Sequence, residues 1–497
     1  MSRSADNNPS ERRIKCDERK PSCNRCIAVD RTCAGYDTIR IARTTTTPQG
    51  GMVLNWVRPS TVPADSTSLE QDAFHYFRNE SVHDLSSPIQ SPLWTYHILQ
   101  LSHSEPAVRH AAIALACLGR NGSAERPGDR HTALRQYGKA IKSLQSKLVK
   151  SEKSTVQIAL VACLLFTTIE FQLGDHSQAN IHLSGGLKIV LEQFKQHTVA
   201  STDELTVALV DAFERLDIQR SMYSSARIQL HQDLLSRPYD VLTNYQTFPS
   251  IAEASRSLSR HMAAVREVWY SALSQLLSPH GLSFESMNHL RDLQSRQQEV
   301  LTTWDIAMRG LIPHLETFRD QQAATLLRIE YLACRVMLLT CLSISRETIF
   351  DEATDDFEEV LKAATAFLNA SEAAKERGKR RMAGFSIDTS IIPALYWTSV
   401  RCREPSIRHA ALALLRRCEH REGAWCGPRS AKAAETIISI EESGLTVRRA
   451  SDVPEFKRLY NAFYKTDVEG HVTVTNQQRW VEEDGRWLKS AQTYELR

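Results

Sequence analysis

The chain has 497 residues, of which 42% are hydrophobic and 24% are charged. This is the composition of a globular protein, and it excludes a mainly disordered, a collagen-like or a membrane-embedded chain. Lysine and arginine number 61 against 58 aspartates and glutamates, a net charge of +3, and residues 1–40 hold nine of the basic and six of the acidic groups. The excess positive charge therefore lies in the first forty positions, where it favours contact with a polyanion.

The same N-terminal segment holds a cluster of cysteines. Four of the 11 cysteines follow the spacing Cys-x6-Cys-x2-Cys-x6-Cys, whereas the other seven are scattered along the chain. The polar opening of the chain lacks a secretory segment, so we expect a reducing compartment in which clustered cysteines bind metal rather than form disulfides. Thiolates suit zinc, and a Cys-x2-Cys pair places two sulfur atoms on one ion. The predicted zinc ligands are Cys16, Cys23, Cys26 and Cys33.

Residues 38–68 are predicted to form a linker. They contain the run Thr44 to Thr47, followed by several prolines and glycines such as Pro48 and Gly50, a composition that is typical of a connecting segment. No apolar heptad follows the cysteine cluster, so no dimerising coiled coil is predicted there. The sequence leaves both a monomer and a homodimer open.

From about Ser68 onward the apolar pattern is helical. Pro106 is predicted to open one helix, and the nearly continuous apolar run Val156 to Phe171, ended by Gly174, predicts a helix buried on several sides. Strand-like alternation is confined to a short candidate, His471 to Thr475. One predicted apolar helix face has spacings of three and four and consists of Leu134, Tyr137, Ile141, Leu144 and Leu148.

Two distant segments of the chain have similar sequences. Residues 105–115 read Glu-Pro-Ala-Val-Arg-His-Ala-Ala-Ile-Ala-Leu, and residues 404–414 read Glu-Pro-Ser-Ile-Arg-His-Ala-Ala-Leu-Ala-Leu. Their separation is far longer than the period of a solenoid repeat. We interpret them as two similar helix starts.

Several function classes find no support in the sequence. The longest apolar stretch, Ile158 to Ile169, is about 12 residues, which is too short for a bilayer, so no membrane partner is expected. The motifs of phosphate-binding loops, nucleophile elbows and helical zinc proteases are absent. Scattered cysteines such as Cys334 and Cys341 are interpreted as core thiols. We therefore expect that the protein is not an enzyme.

The cysteine-rich segment resembles the fungal binuclear zinc cluster of Zn2Cys6 transcription factors. Its cysteines match the third to sixth cysteines of that family, and the basic run Arg12-Arg13-Ile14-Lys15 precedes Cys16 as it does in the family. The resemblance implies that a short helix enters the major groove of double-stranded DNA and that Arg13 reaches a guanine-rich triplet. The residues predicted to contact DNA are Arg12, Arg13, Lys15, Arg19 and Lys20, the last two through phosphates.

The segment departs from the family at its first two cysteines. Asp6 and Pro9 stand at the positions where the family has them. Six thiolates hold two zinc ions in the family, whereas four thiolates cannot complete two tetrahedral sites. Two interpretations remain open: a misplaced start or exon in the sequence, and a protein whose zinc cluster is degenerate.

The remainder of the chain resembles the regulatory region of the same family, the fungal-specific transcription factor domain. Three stretches carry this resemblance: Ser91–Trp94 through Leu99–Ser102 to Glu105–Ala112, then Glu170–Gly174 with Ala179 and His182–Leu187, and Ile391–Trp397. Further similarity lies near Arg401 to Arg403 and Arg421 to Trp425.

Together these features predict a mainly α chain with a small zinc-binding head, a flexible linker and a large all-α regulatory domain. The predicted domains are residues 1–37, a truncated Zn2Cys6-type DNA-binding domain; 38–68, the linker; 69–450, the helical regulatory domain; and 451–497, a C-terminal tail. The resemblance implies a nuclear, zinc-dependent transcription factor for RNA polymerase II genes, with DNA and the transcription machinery as partners. The alternative is a regulatory or scaffold protein that kept the helical domain and lost DNA binding.

Overall fold

A computed structural model of the chain describes the greater part of the sequence after residue 66. The described residues are 67–85, 88–89, 92–120, 129–149, 155–196, 203–223, 228, 230, 246–276, 283–343, 346–376, 384–466, 472–481 and 487–496. They belong to the second of two units into which the chain divides, which begins at Thr61. Helices make up most of the described residues, which confirms the predicted mainly α fold.

The first group of helices surrounds one apolar core. The helices are α1 (Ser68–Tyr76), α2 (Val82–Leu85), α3 (Ile98–Ser104), α4 (Pro106–Gly119), α5 (Asp129–Val149), α6 (Thr155–Leu173), α7 (His176–Gln196) and α8 (Glu204–Tyr223). A capping box starts α1, because the Thr67 hydroxyl accepts from the Glu70 amide at 3.3 Å and the Glu70 carboxylate accepts from the Thr67 amide at 3.0 Å. Pro106 occupies the first turn of α4, as predicted.

Helix α6 is the centre of this first core. Side chains on all of its faces are buried, and Gly174 follows it with φ +86°, a conformation that glycine adopts without strain. By length and composition the 19-residue helix is long enough to cross a membrane, with mean hydropathy 1.8, which corrects the shorter length expected from the apolar run. Because 72% of its apolar window is buried inside the protein, it is a core helix.

The predicted apolar face of α5 is only partly correct. Tyr137 is buried as expected, but Leu134 and Leu148 are 47% and 48% exposed. Smaller side chains, Ala133 and Ala140, occupy the buried stripe instead. They allow α5 to approach α4 closely, so packing distance rather than residue hydrophobicity determines which side faces inward.

The second group of helices surrounds another apolar core. The helices are α9 (Ile251–Leu276), α10 (Phe284–Leu311), α11 (Phe318–Thr340), α12 (Thr354–Glu376), α13 (Ile392–Arg401), α14 (Pro405–Arg417) and α15 (Gly427–Glu442). Three two-residue strands join them, β1 (Phe385–Ser386), β2 (Arg421–Glu422) and β3 (Trp425–Cys426). Strand β1 pairs in parallel with β2, and β2 pairs antiparallel with β3.

Buried charges hold the end of this second core. The Arg403 guanidinium donates to Glu441 at 2.7 Å and to Glu347 at 3.0 Å, and Arg408 donates to the other oxygen of Glu441. Arg403, Arg408 and Glu441 are fully buried. Burial raises the pKa of Glu441, but the two guanidiniums outweigh it and hold this pKa at about 2.

The segment predicted as a C-terminal tail contains three strands. They are β4 (Tyr460–Thr466), β5 (Val472–Val481) and β6 (Trp487–Leu496), which form an antiparallel sheet in the order β4-β5-β6. The predicted strand around Val472 to Thr475 lies in β5, which is longer than expected because it pairs on both sides. Cross-strand pairing of this kind cannot be read from one short alternating run.

The two cores meet at the small sheet. Phe385 and Ile387 pack into the first core, whereas Trp425 packs into the second. Arg421 donates from its guanidinium to the backbone carbonyls of Phe171 and Gln172, at 2.5 and 3.0 Å. It therefore satisfies carbonyl groups at the C-terminal end of α6 from the other half of the domain.

Candidate functional site

The zinc and DNA-binding residues predicted from the sequence lie outside the described residues. They are Cys16, Cys23, Cys26, Cys33, Arg12, Arg13, Lys15, Arg19 and Lys20. Within the residues that the structure does describe, no group of three or more histidine, cysteine or acidic side chains is arranged to hold a metal. Cys334 and Cys341 are buried free thiols, as expected, and burial raises the pKa of Cys341 to about 12.

The described part of the chain contains an open cavity between α8 and α9. Its volume is about 410 Å³. A smaller pocket of about 30 Å³ adjoins it and reaches α11. The two share four lining residues, Ile89, Arg215, Ser255 and Ser259. They therefore form one continuous site with a wide outer part and a narrow inner part.

Helical periodicity places the lining residues of the inner pocket. On α8, Arg215, Ile218, Gln219 and Met222 follow one another at spacings of three, four and seven from the first, so they share one helix face. On α9, Ser255, Ser259 and Met262 do the same, and on α11 Leu326 and Glu330 lie one turn apart. Three helix faces thus converge, each with a polar group among apolar side chains.

Ion pairs fix the two guanidiniums that line the cavity. Arg215 donates to the Asp388 carboxylate at 3.4 Å, and Arg256 donates to the Asp211 carboxylate at 3.0 Å. These pairs neutralise the two arginines in a partly desolvated site.

Glu330 differs from Asp211 and Asp388 because no guanidinium donates a hydrogen bond to it within the described residues. Its carboxylate makes no hydrogen bond within the described residues, and burial, together with the nearby charge of Asp388, raises its pKa to about 7, although Arg215 opposes this rise. An acid with a strongly raised pKa in a cleft is typical of a functional position.

Two family profiles match the sequence. The fungal-specific transcription factor domain matches residues 73–375, and the fungal Zn(2)-Cys(6) binuclear cluster domain matches residues 10–41. The chain belongs to the fungal-specific transcription factor family. Membership confirms the resemblance of the helical domain, and the cluster match covers the cysteine-rich segment downstream of Asp6 and Pro9.

Two curated relatives agree with this membership. The transcription regulator lscL of Purpureocillium lilacinum is 29% identical over 41% of this chain and 54% of its own length. The aspercryptin biosynthesis cluster-specific transcription regulator atnN of Emericella nidulans is 27% identical over 37% of this chain and 33% of its own length. The matched part therefore spans about half or less of these relatives. No solved structure matches the chain significantly.

Proposed function

We propose that the protein is a nuclear, zinc-dependent transcription factor that reads guanine-rich triplets in double-stranded DNA and regulates genes transcribed by RNA polymerase II. The observation that carries the proposal is the zinc-cluster match over residues 10–41, on the same chain as the regulatory domain at 73–375. The excess basic charge of the first forty residues supports it, because phosphate contacts supply most of the non-specific affinity for DNA.

The proposed metal site consists of Cys16, Cys23, Cys26 and Cys33. Four thiolates fit one tetrahedral zinc ion if the loop between them rearranges from the arrangement in the family, and bound zinc would supply the fold of the head, though it would be held less tightly than in a full cluster. They do not fit a two-ion cluster, which needs six thiolates with two of them bridging. We therefore expect about one zinc ion per chain.

Direct base contact is assigned to Arg13. An arginine side chain donates two hydrogen bonds to O6 and N7 of guanine, which is worth about 1–3 kcal/mol of discrimination against other bases. Arg12 and Lys15 flank it, while Arg19 and Lys20 are assigned to phosphates, which add affinity without sequence preference. Since the segment before Arg12 lacks two thiolates, we expect its helix to fray. The chain should therefore bind its triplet only weakly and with little sequence preference, and restoring the two thiolates should strengthen both.

A second candidate function follows from the departure at Asp6 and Pro9. The chain then acts as a regulatory or scaffold protein through its helical domain alone. Its partners are other components of the transcription machinery or a second copy of the chain.

A mobility-shift titration with the full chain separates the two functions. The chain carrying both Asp6→Cys and Pro9→Cys is expected to gain zinc-dependent binding to guanine-rich triplets and about two zinc ions by metal analysis. Arg13→Ala in that background should remove the triplet preference, whereas the matched control Arg40→Ala, outside the cysteine cluster, should leave the preference unchanged. If the double-cysteine chain gains no binding, the assignment of base contact to Arg13 is wrong. If the unmodified chain binds no DNA, the DNA-reading function fails and the scaffold function stands.

A chelator provides the complementary measurement. Removal of zinc is expected to abolish DNA binding while the helical circular dichroism signal is retained, because the described helices are held by apolar cores and buried ion pairs. Loss of the helical signal on chelation would contradict the division into a metal-dependent head and a metal-independent domain.

A further inference from the structure

The cavity between α8, α9 and α11 has the dimensions of a ligand site. Its outer part, about 410 Å³, lies within the range of roughly 300–1,000 Å³ that is typical of sites for small organic molecules. Apolar side chains from all three helices line the inner part, including Ile218, Met262 and Leu326. Met222 adds a second methionine, a side chain that adapts to irregular ligand shapes.

Unpaired polar groups face this cavity from two helices. Ser255 is 5% exposed and lines both parts, yet its hydroxyl makes no hydrogen bond within the described part of the chain. The Glu330 carboxylate on α11 is likewise without a hydrogen bond there. A polar group that faces a cavity and has no hydrogen-bond partner in the protein is available to a ligand. Ser255 is buried and Glu330 is half-buried. The two groups therefore indicate the polar end of a ligand.

The charges around the cavity indicate the sign of that ligand. Two guanidiniums line it, and both are paired with carboxylates. Even with Glu214 left out of the count, four carboxylates line it against these two guanidiniums, so negative charge is in excess; the four are Glu204, Asp211, Glu330 and Asp388. A site with this balance attracts cations and repels anions.

We infer that this cavity binds a small organic cation, a protonated amine on an apolar body. The ammonium group donates to the Glu330 carboxylate and to the hydroxyls of Ser255 and Ser259, while the apolar body packs against Met222 and Met262 and extends into the outer cavity. The lining residues all belong to the helical domain, so amine binding does not depend on zinc or DNA binding by residues 1–37.

The affinity for the amine is expected to depend on pH. The groups that face Glu330 are Arg215 from α8, Asp388 after β1 and Cys334 on α11 itself. Since the pKa of Glu330 is raised to about 7, its side chain is mainly a neutral carboxylic acid below that pH. It must then lose a proton before it can pair with an ammonium group. An alkyl amine remains protonated until about pH 10, so affinity rises from acid to mildly alkaline pH.

Three probes with the same indole body test the inference by isothermal titration calorimetry on the full chain. They are tryptamine, which is cationic, tryptophol, which is neutral, and indole-3-propionate, which is anionic. Tryptamine should bind at least about tenfold more tightly than the other two at mildly alkaline pH and lose about tenfold in affinity on acidification through the pKa of Glu330. Equal affinities, or preference for the anion, would overturn the inference.

Two matched variants locate the binding site. Glu330→Gln keeps the side-chain volume and removes the charge, so tryptamine affinity should fall by about tenfold while that for tryptophol stays within about twofold. Glu299→Gln, on an exposed face of α10, should change neither. Unchanged tryptamine binding by Glu330→Gln, or no tryptamine binding to the unmodified chain at millimolar concentration, would refute the assignment. The pH dependence of the unmodified chain gives the same answer without relying on a variant.

Discussion

The two similar segments at Glu105 and Glu404 begin helices in the same way but meet different surroundings. In both, the glutamate precedes the helix and proline opens its first turn. Arg109 of the first segment donates to the backbone carbonyl of His103 at 3.2 Å. Arg408 of the second is fully buried, donating to Ser399 at 3.0 Å and to Glu441.

This difference separates local from tertiary information. A glutamate, a proline and an apolar stripe are sufficient to start a helix, and they do so in both places. Whether the arginine four residues after the glutamate forms a buried ion pair depends on α15, which supplies Glu441 to one segment and nothing equivalent to the other. Two similar sequences therefore contribute differently to stability in the two halves of the domain.

The largest expected loss of stability comes from replacing Arg408, and replacing Arg109 gives the comparison. Arg408→Met leaves Glu441 buried with fewer partners and is expected to cost about 3–5 kcal/mol in the free energy of unfolding. Arg109→Met removes one hydrogen bond to a carbonyl and should cost less than about 1 kcal/mol. Urea unfolding of the full chain measures both, and Arg416→Met, which breaks an exposed ion pair on α14, is the control. Similar costs for Arg408 and Arg109 would contradict the comparison.

A smaller effect is expected from replacing Glu441, the carboxylate that contacts Arg408 of the second segment. Glu441 has a folded-state pKa of about 2 against an ordinary 4.5, so its stabilisation is present above about pH 4.5 and declines as pH falls towards the folded value. Glu441→Gln should cost about 3 kcal/mol at neutral pH, and the gap from the unmodified chain should narrow by about 1 kcal/mol near pH 3.5. Unfolding at both pH values checks this, with exposed Glu435→Gln as the control. A difference in unfolding free energy that does not change with pH would contradict an ionised Glu441 with a lowered pKa.

The glutamates before the two helices should have weaker effects. Glu105 pairs with Lys147 at 2.7 Å, with both side chains partly exposed, so Glu105→Gln should cost about 0.5–1 kcal/mol. Glu404 accepts from the Ala450 amide at 3.3 Å, an interaction that glutamine can replace, and Glu404→Gln should cost less than about 0.5 kcal/mol. A double-mutant cycle with Lys147→Met isolates the pair, and zero coupling would show that it contributes nothing.

The histidine that follows Arg109 should have the smallest effect on stability. Burial lowers the pKa of His110, which contacts Gln136 at 2.7 Å, so the folded state favours the neutral ring. Its contribution is complete above about pH 6.5 and is lost as pH falls below that value. His110→Gln should remove part of the acid-induced loss, less than about 1 kcal/mol between pH 7.5 and 5.5. Thermal melts at the two pH values measure this, and an acid-induced loss that is unchanged in the variant would contradict it.

Much of the helical architecture could be predicted from the sequence because its determinants are local. Pro106, Gly174 and the apolar run of α6 mark helix boundaries or burial within a few residues of their effect. The exposed Leu134 shows the limit of this reasoning. Which stripe of α5 faces inward depends on how closely α4 approaches, which spacing alone does not encode.

The two candidate sites differ in the same way. The proposed zinc site lies within 18 consecutive positions, so its cysteine spacing could be recognised directly. The cavity combines Arg215, Ser255 and Glu330 from three helices, and no motif joins them. A polar residue on an otherwise buried helix face was the available signal. It becomes interpretable only when the three faces are brought together.

Arg421 shows that the folded unit of this chain extends beyond the segment that matches the family. The family profile ends at residue 375, yet Arg421 satisfies carbonyl groups of α6 about 250 residues earlier in the chain, and Phe385 and Ile387 complete the first core. A protein shortened just after the profile would retain every recognised position and lose all three contacts. The segment of this chain that matches the family is therefore shorter than the segment that must be synthesised before its first core is complete, and late truncations should damage the N-terminal helices.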